Sequence, residues 1–224
     1  MRIDILTLFP EMFAPLRESI IKRAIDAGAL QINYHNFRDY TKNKQKMVDD
    51  ALFGGGAGML LTAQPIVDCI EAIDPDRKSH RIYMSPAAPT LTQEKVRELA
   101  QHEWLIVLCG HYEGVDQRAI DLCIDECVSI GEYVLTGGEL PAMVVIDCVA
   151  RHVKGVIKED SAANESYSHG KNWEHPQYTR PREYRGLEVP EILLSGNHKK
   201  INEWREKSAR GVTPPAPPRR GDHD

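Results

Sequence analysis

The sequence predicts an α/β protein: a parallel sheet with helices on both faces. Short apolar runs of strand length alternate with amphipathic helical stretches from Met1 to Ile157. The runs are nearly continuous rather than alternating, the pattern of strands buried on both faces. Three glycine-rich or proline-containing segments stand where strands should end, the place at which parallel sheets bind ligands. The 224 residues are 42% hydrophobic and 27% charged, enough apolar material for a real core without covalent staples, which excludes disorder as the main state.

The first strand is read in Ile3, Ile5, Leu6 and Leu8, and its apolar continuity makes it a central one. The opening MRIDILTLF carries Asp4 and no small-residue cleavage site, so it reads as that strand and not as a signal peptide. Leu16, Ile20, Ala24 and Ala27 then recur at helical spacing, with Gly28 where a left-handed cap belongs. Ile32 and Tyr34 mark the next strand, followed by the basic stretch Arg38 to Lys46 and the glycine cluster Phe53 to Met59. A second helix runs from Thr62 to Ile73 with Ile66, Ile70 and Ile73 on one face. Arg81 to Met84 is a strand, Thr92 caps a helix carrying Val96 and Leu99, and Trp104 to Cys109 is the clearest strand of all. Leu140-Pro141 opens a further helix with proline in its first turn.

After Ile157 the aliphatic residues almost vanish, and the organisation expected is a domain over 1–157, a flexible linker over 158–176, a small helical domain over 177–213 and a disordered Pro/Arg tail over 214–224. Asn197 is placed to cap a helix bearing Ile201 and Trp204. Net charge is −5, yet Lys199, Lys200, Arg205, Lys207, Arg210, Arg219 and Arg220 face only Glu203 and Glu206 between Asn197 and Arg220. A basic appendage on an acidic body keeps a nucleic-acid partner open. The five cysteines include no C-x-x-C pair and lie in apolar segments, which points to a reducing cytoplasmic setting with neither disulfide framework nor zinc site. No apolar run approaches the ~18 residues of a membrane span.

The three candidate ligand loops are Tyr83-Met84-Ser85-Pro86, Cys109-Gly110-His111-Tyr112-Glu113-Gly114, and Ser129 through Pro141. Glycines here remove the Cβ that would keep a ligand from the backbone. No G-x-G-x-x-G follows the first strand and no G-x-x-x-x-G-K-[ST] occurs, which sets aside dinucleotide folds and P-loop kinases.

These residues carry a resemblance to the bacterial tRNA (guanine-N1)-methyltransferases. It runs in order through LTLFPEMF, VDDALFGGGAGM, YMSP, CGHYEG, SIGEYVLTGGELPAM, HPQYTRP and VPEILLSGNH. The resemblance implies a trefoil-knotted methyltransferase of the SPOUT class with a small helical C-terminal domain. It further implies S-adenosylmethionine as methyl donor, tRNA as substrate, and a homodimer whose active site lies at the subunit interface. The reaction implied is methylation of the guanine immediately 3′ of the anticodon. Donor contacts would come from Tyr83, Met84, Ser85, Pro86, Gly110, Glu113, Ser129, Ile130, Gly131, Tyr133, Leu135, Gly137, Gly138 and Pro141. By the same resemblance Arg151 would steady charge developing on guanine O6, and Glu165 would take the N1 proton, with His169 as the other candidate base. Lys199, Lys200, Arg205 and Lys207 would meet RNA phosphates. A divalent ion such as Mg is expected only through the resemblance, and no ligand cluster in the sequence points to one. The rival readings are a related knotted methyltransferase acting on ribosomal RNA and a non-catalytic RNA-binding protein that senses the cofactor.

Overall fold

The computed structural model describes residues 1–157 and 174–209. The chain divides into two compact units, Met1–Lys158 and Glu159–Asp224.

In the first unit five parallel strands form one sheet: β1 (Arg2–Leu6), β2 (Gln31–His35), β5 (His80–Met84), β6 (Trp104–Cys109) and β7 (Glu126–Val128), in the order β2-β1-β6-β5-β7. The centre is therefore β6, with β1 beside it. Burial on both faces explains the continuous apolar runs: Ile3 and Ile5 point into one core and Leu6 into the other. The first core is completed by α1 (Ser19–Asp26), α3 (Gln93–Leu99) and α5 (Glu139–Ala150), the second by α2 (Ala63–Ile73) and α4 (Gln117–Cys123). Each fully buried Leu or Ile on these faces contributes about 1.5–3 kcal/mol relative to exposure.

One polar residue interrupts β1. Asp4 is fully buried on the same face as Leu6, and burial alone would disfavour its charge. Hydrogen bonds from His35, Arg2, Asn33 and Trp104 more than offset that, and its carboxyl is lowered to about 2.

The caps at Thr92 and Asn197 form as expected, each side chain accepting from the backbone N–H three residues on. Two expectations need correction, and the glycine cluster finds its place in the fold. The first helix is broken: a 3-10 helix covers Pro10–Arg17, and Glu18 is extended before α1 begins. That break shifts the buried stripe to Phe13, Leu16, Ile21 and Ala24, and leaves Ala27 exposed. The glycine cluster is the turn of an antiparallel pair, β3 (Asp49–Ala51) with β4 (Met59–Leu61), too short to be read from a period of two. The second unit is not purely helical, since a hairpin of β8 (Glu183–Tyr184) and β9 (Leu187–Glu188) precedes α6 (Glu191–Leu194) and α7 (His198–Ser208).

Candidate active site

The three loops leave the C-terminal ends of β5, β6 and β7, which are neighbours in the sheet. Together they wall a cavity of about 300 Å³, large enough for a cofactor-sized ligand. From the first loop Tyr83, Met84, Ser85 and Pro86 line it. The second contributes Gly110 and Glu113, and the third Ser129, Ile130, Gly131, Tyr133, Leu135, Gly137, Gly138 and Pro141. Every residue expected to touch the donor thus lies on one cavity. His111, Tyr112, Val134 and Thr136 line it as well. They stand inside the same loops, but nothing in their type or spacing distinguished them.

Local chemistry holds the loops open. Ser85 N–H donates to Val128 O at 3.0 Å, tying the first loop to β7. The Ser129 hydroxyl donates to Gly131 O and accepts from Gly131 N–H, closing a tight turn at the start of the third loop. Tyr112 takes a left-handed φ of 58° at the tip of the second loop, a strain of about 1 kcal/mol or more for a non-glycine residue. Gly138 N–H donates to Gly110 O at 2.9 Å, where the second and third loops cross. A Cβ on Gly138 would stand 2.8 Å from both Cys109 Cα and Gly110 N, so only glycine allows that crossing. A Cβ on Gly110 would meet the Tyr83 hydroxyl at 2.9 Å.

The surroundings are partly apolar and partly titratable. Burial pushes the Tyr83 hydroxyl above its usual value. Burial, with the nearby Glu139 carboxylate, pushes the Cys109 thiol well above the ordinary thiol range, so this sulfur beneath the loops is no nucleophile. Glu139 opens α5 fully buried, bonded to Thr7 and His111. Its burial was not legible, because a glutamate in the first turn of a helix is ordinary for an exposed end as well.

The sequence pattern of the family described as tRNA (Guanine-1)-methyltransferase TrmD matches residues 1–218. The chain belongs to this family. Among curated relatives, the tRNA (guanine-N(1)-)-methyltransferase of Carboxydothermus hydrogenoformans is 53% identical over 210 residues, covering 93% of this chain and 83% of that one. The protein of the same name from Ruminiclostridium cellulolyticum is 54% identical over 209 residues, covering 92% and 89%. That of Clostridioides difficile is 46% identical over 217 residues, covering 95% and 94%. A parallel sheet with helices on both faces is the architecture expected of a TrmD family member.

Arg151 does not line the cavity. It is the C-terminal cap of α5, and a helix of 12 residues rising ~1.5 Å each carries it about 18 Å from the Gly138 end. Glu165 and His169 lie outside the described residues. In the second unit Lys199, Lys200, Arg205 and Lys207 are all exposed on α7, around a buried Ile201. The Trp204 ring lies within 6.0 Å of His175 and 6.4 Å of Tyr178, so the HPQY segment packs on the same helix. Among the described residues no group of His, Cys, Asp or Glu could hold a metal ion, and no helix is long and apolar enough to cross a membrane.

Proposed function

We propose that this chain, as a tRNA (guanine-N1)-methyltransferase, takes its methyl group from S-adenosylmethionine held in the cavity at the strand ends and delivers it to the guanine immediately 3′ of the anticodon. The observation that carries the reading is the convergence of all the expected donor-binding residues, from three separate loops, on one cavity. The fit is supported by the glycines at its wall, where Gly110 and Gly138 leave no room for a side chain and let the loops close on one another around the cavity. Bound there, S-adenosylmethionine supplies a methyl group on a sulfonium centre that needs positioning rather than activation.

The chain's own residues then act on the acceptor. Glu165, or His169 in its place, takes the proton from guanine N1, and Arg151 steadies the negative charge that develops toward O6. Because Arg151 sits at the far end of α5 from the cavity, the arginine that serves a given cavity comes from a second copy of the chain. Exposed apolar residues on α5 and at the start of the 3-10 helix packed against it, Leu140, Val144, Phe9 and Met12, support such a homodimer. Lys199, Lys200, Arg205 and Lys207 bind the tRNA backbone as phosphate partners. A tRNA substrate goes with a cytoplasmic location.

The test is methyl transfer from labelled S-adenosylmethionine to two tRNA transcripts that differ only in having guanine or adenine 3′ of the anticodon. Methylation of the first alone is expected. Equal labelling of both, or of neither, overturns the reading.

A further inference from the structure

Glu139 is fully buried, and a buried carboxylate costs several kcal/mol unless partners offset its lost hydration. Both of its oxygens have one. The Thr7 hydroxyl donates to Oε1 at 2.7 Å, and the His111 ring nitrogen Nε2 lies 2.7 Å from Oε2. Thr7 follows β1, His111 stands in the loop after β6, and Glu139 begins α5 at the end of the third loop, so three segments distant in sequence meet at one side chain. Thr7 is itself held, accepting from Phe9 N–H at 2.9 Å, and the Phe9 ring packs edge-on against His111 with centroids 4.8 Å apart.

What this assembly holds is the cavity wall. His111 lines the cavity, whereas Thr7 and Glu139 lie behind it. The His111 ring occupies the space where a Cβ on Gly137 would have to go, and the same Cβ would stand 2.7 Å from Glu139 Oε2. The ring is therefore seated directly against the Thr136–Gly138 arm, beside the Gly138 to Gly110 backbone bond at the crossing. Moving His111 would free that arm.

We propose that Glu139 is a positioning residue for the methyl donor: through Thr7 and His111 it locks the Thr136–Gly138 arm of the cavity against the Gly110–Gly114 arm. The proposal rests on the reading that this cavity holds S-adenosylmethionine. A displacement of an arm by an ångström or less is enough to matter, because transfer rates depend steeply on the geometry in which the reacting groups are held.

Calorimetric titration with S-adenosylmethionine, at a temperature well below the unfolding midpoint of each variant, tests it, together with steady-state kinetics. Glu139→Ala is expected to weaken donor binding by about 10- to 100-fold, the effect typical of losing a residue that supports a binding group, with KM for tRNA unchanged. Glu139→Gln, whose amide offers both an acceptor and a donor in the same shape, should recover most of that loss. A side chain that merely supports folding would lower the midpoint and leave donor affinity intact. Folded Glu139→Ala binding the donor within twofold of the parent overturns the proposal, as does Glu139→Gln failing as badly as Glu139→Ala. Should Glu139→Ala not fold, Thr7→Val removes one arm of the clasp: weaker donor binding is expected, and unchanged affinity overturns the role. A parent chain that does not bind the donor overturns the reading of the cavity itself, a different result from failure of the variants alone.

Discussion

Replacing Gly138 by alanine adds one methyl group at the point where two loops cross. Its φ of −83° and ψ of −7° are ordinary for alanine, so the substitution brings no backbone strain of its own. The cost comes from contact. The new Cβ would stand 2.8 Å from Cys109 Cα and from Gly110 N, and ordinary contact begins near 3.4 Å, so the loops must part by 0.6 Å or more. These are backbone atoms at the end of the central strand and cannot rotate away. Parting them stretches the 2.9 Å bond from Gly138 N–H to Gly110 O. Losing that bond costs about 1 kcal/mol, and forcing a methyl group into a packed position costs about 1–3 kcal/mol. The sum is about 2–4 kcal/mol of folding stability. Donor affinity should fall about tenfold or more, since the separated loops are the cavity walls. Gly28→Ala is the control: Gly28 has a φ of +73° and open space around its Cβ, so alanine there costs about 1–2 kcal/mol of backbone strain but leaves the cavity alone. Urea denaturation measures the stabilities, and calorimetric titration the affinities. The reasoning is refuted if Gly138→Ala matches the parent in both, or if Gly28→Ala weakens donor binding as much as Gly138→Ala does.

Asp4→Asn should destabilise the fold by about 2 kcal/mol at pH 7, because a carboxyl lowered from 3.8 to about 2 stabilises the folded state by roughly 1.4 kcal/mol per unit. That stability is present above pH 4 and lost as pH falls toward 2, so the parent and variant urea midpoints should converge over this interval; a gap that persists at pH 2 refutes the linkage. Glu165→Gln should bind the donor normally yet lose methyl transfer by about 10²- to 10⁴-fold, and near-normal turnover in that variant with none in His169→Ala would assign the base to His169. Replacing Lys199, Lys200, Arg205 and Lys207 by Gln should weaken tRNA binding and flatten its dependence on log salt while leaving donor affinity unchanged. Parent-like affinity and slope would make α7 only a solvated face.

The sequence by itself determined the fold class, four of the five strands of the main sheet and the segments that wall the cavity. The reason is physical: a strand buried on both faces must be apolar at consecutive positions, as in Trp104 to Cys109, and loops where backbone meets ligand or backbone must carry glycine, as at Gly110 and Gly138. The family segments added roles that periodicity could not supply. Only the tertiary structure decided that the helix expected through Leu16 and Ala27 breaks at Glu18, because its two parts meet the core from different registers. It likewise decided that a valine at Gly137 would strike the His111 ring. Asp4, Thr7, His111 and Glu139 are polar residues whose types suit a surface as well as an interior, and what distinguishes them is the identity of their partners. Those partners lie far away along the chain: Glu139 takes its hydrogen bond from Thr7 across 132 positions. Spacing along a sequence encodes which face a residue presents, but a hydrogen bond between distant segments exists only once the sheet has brought their ends together.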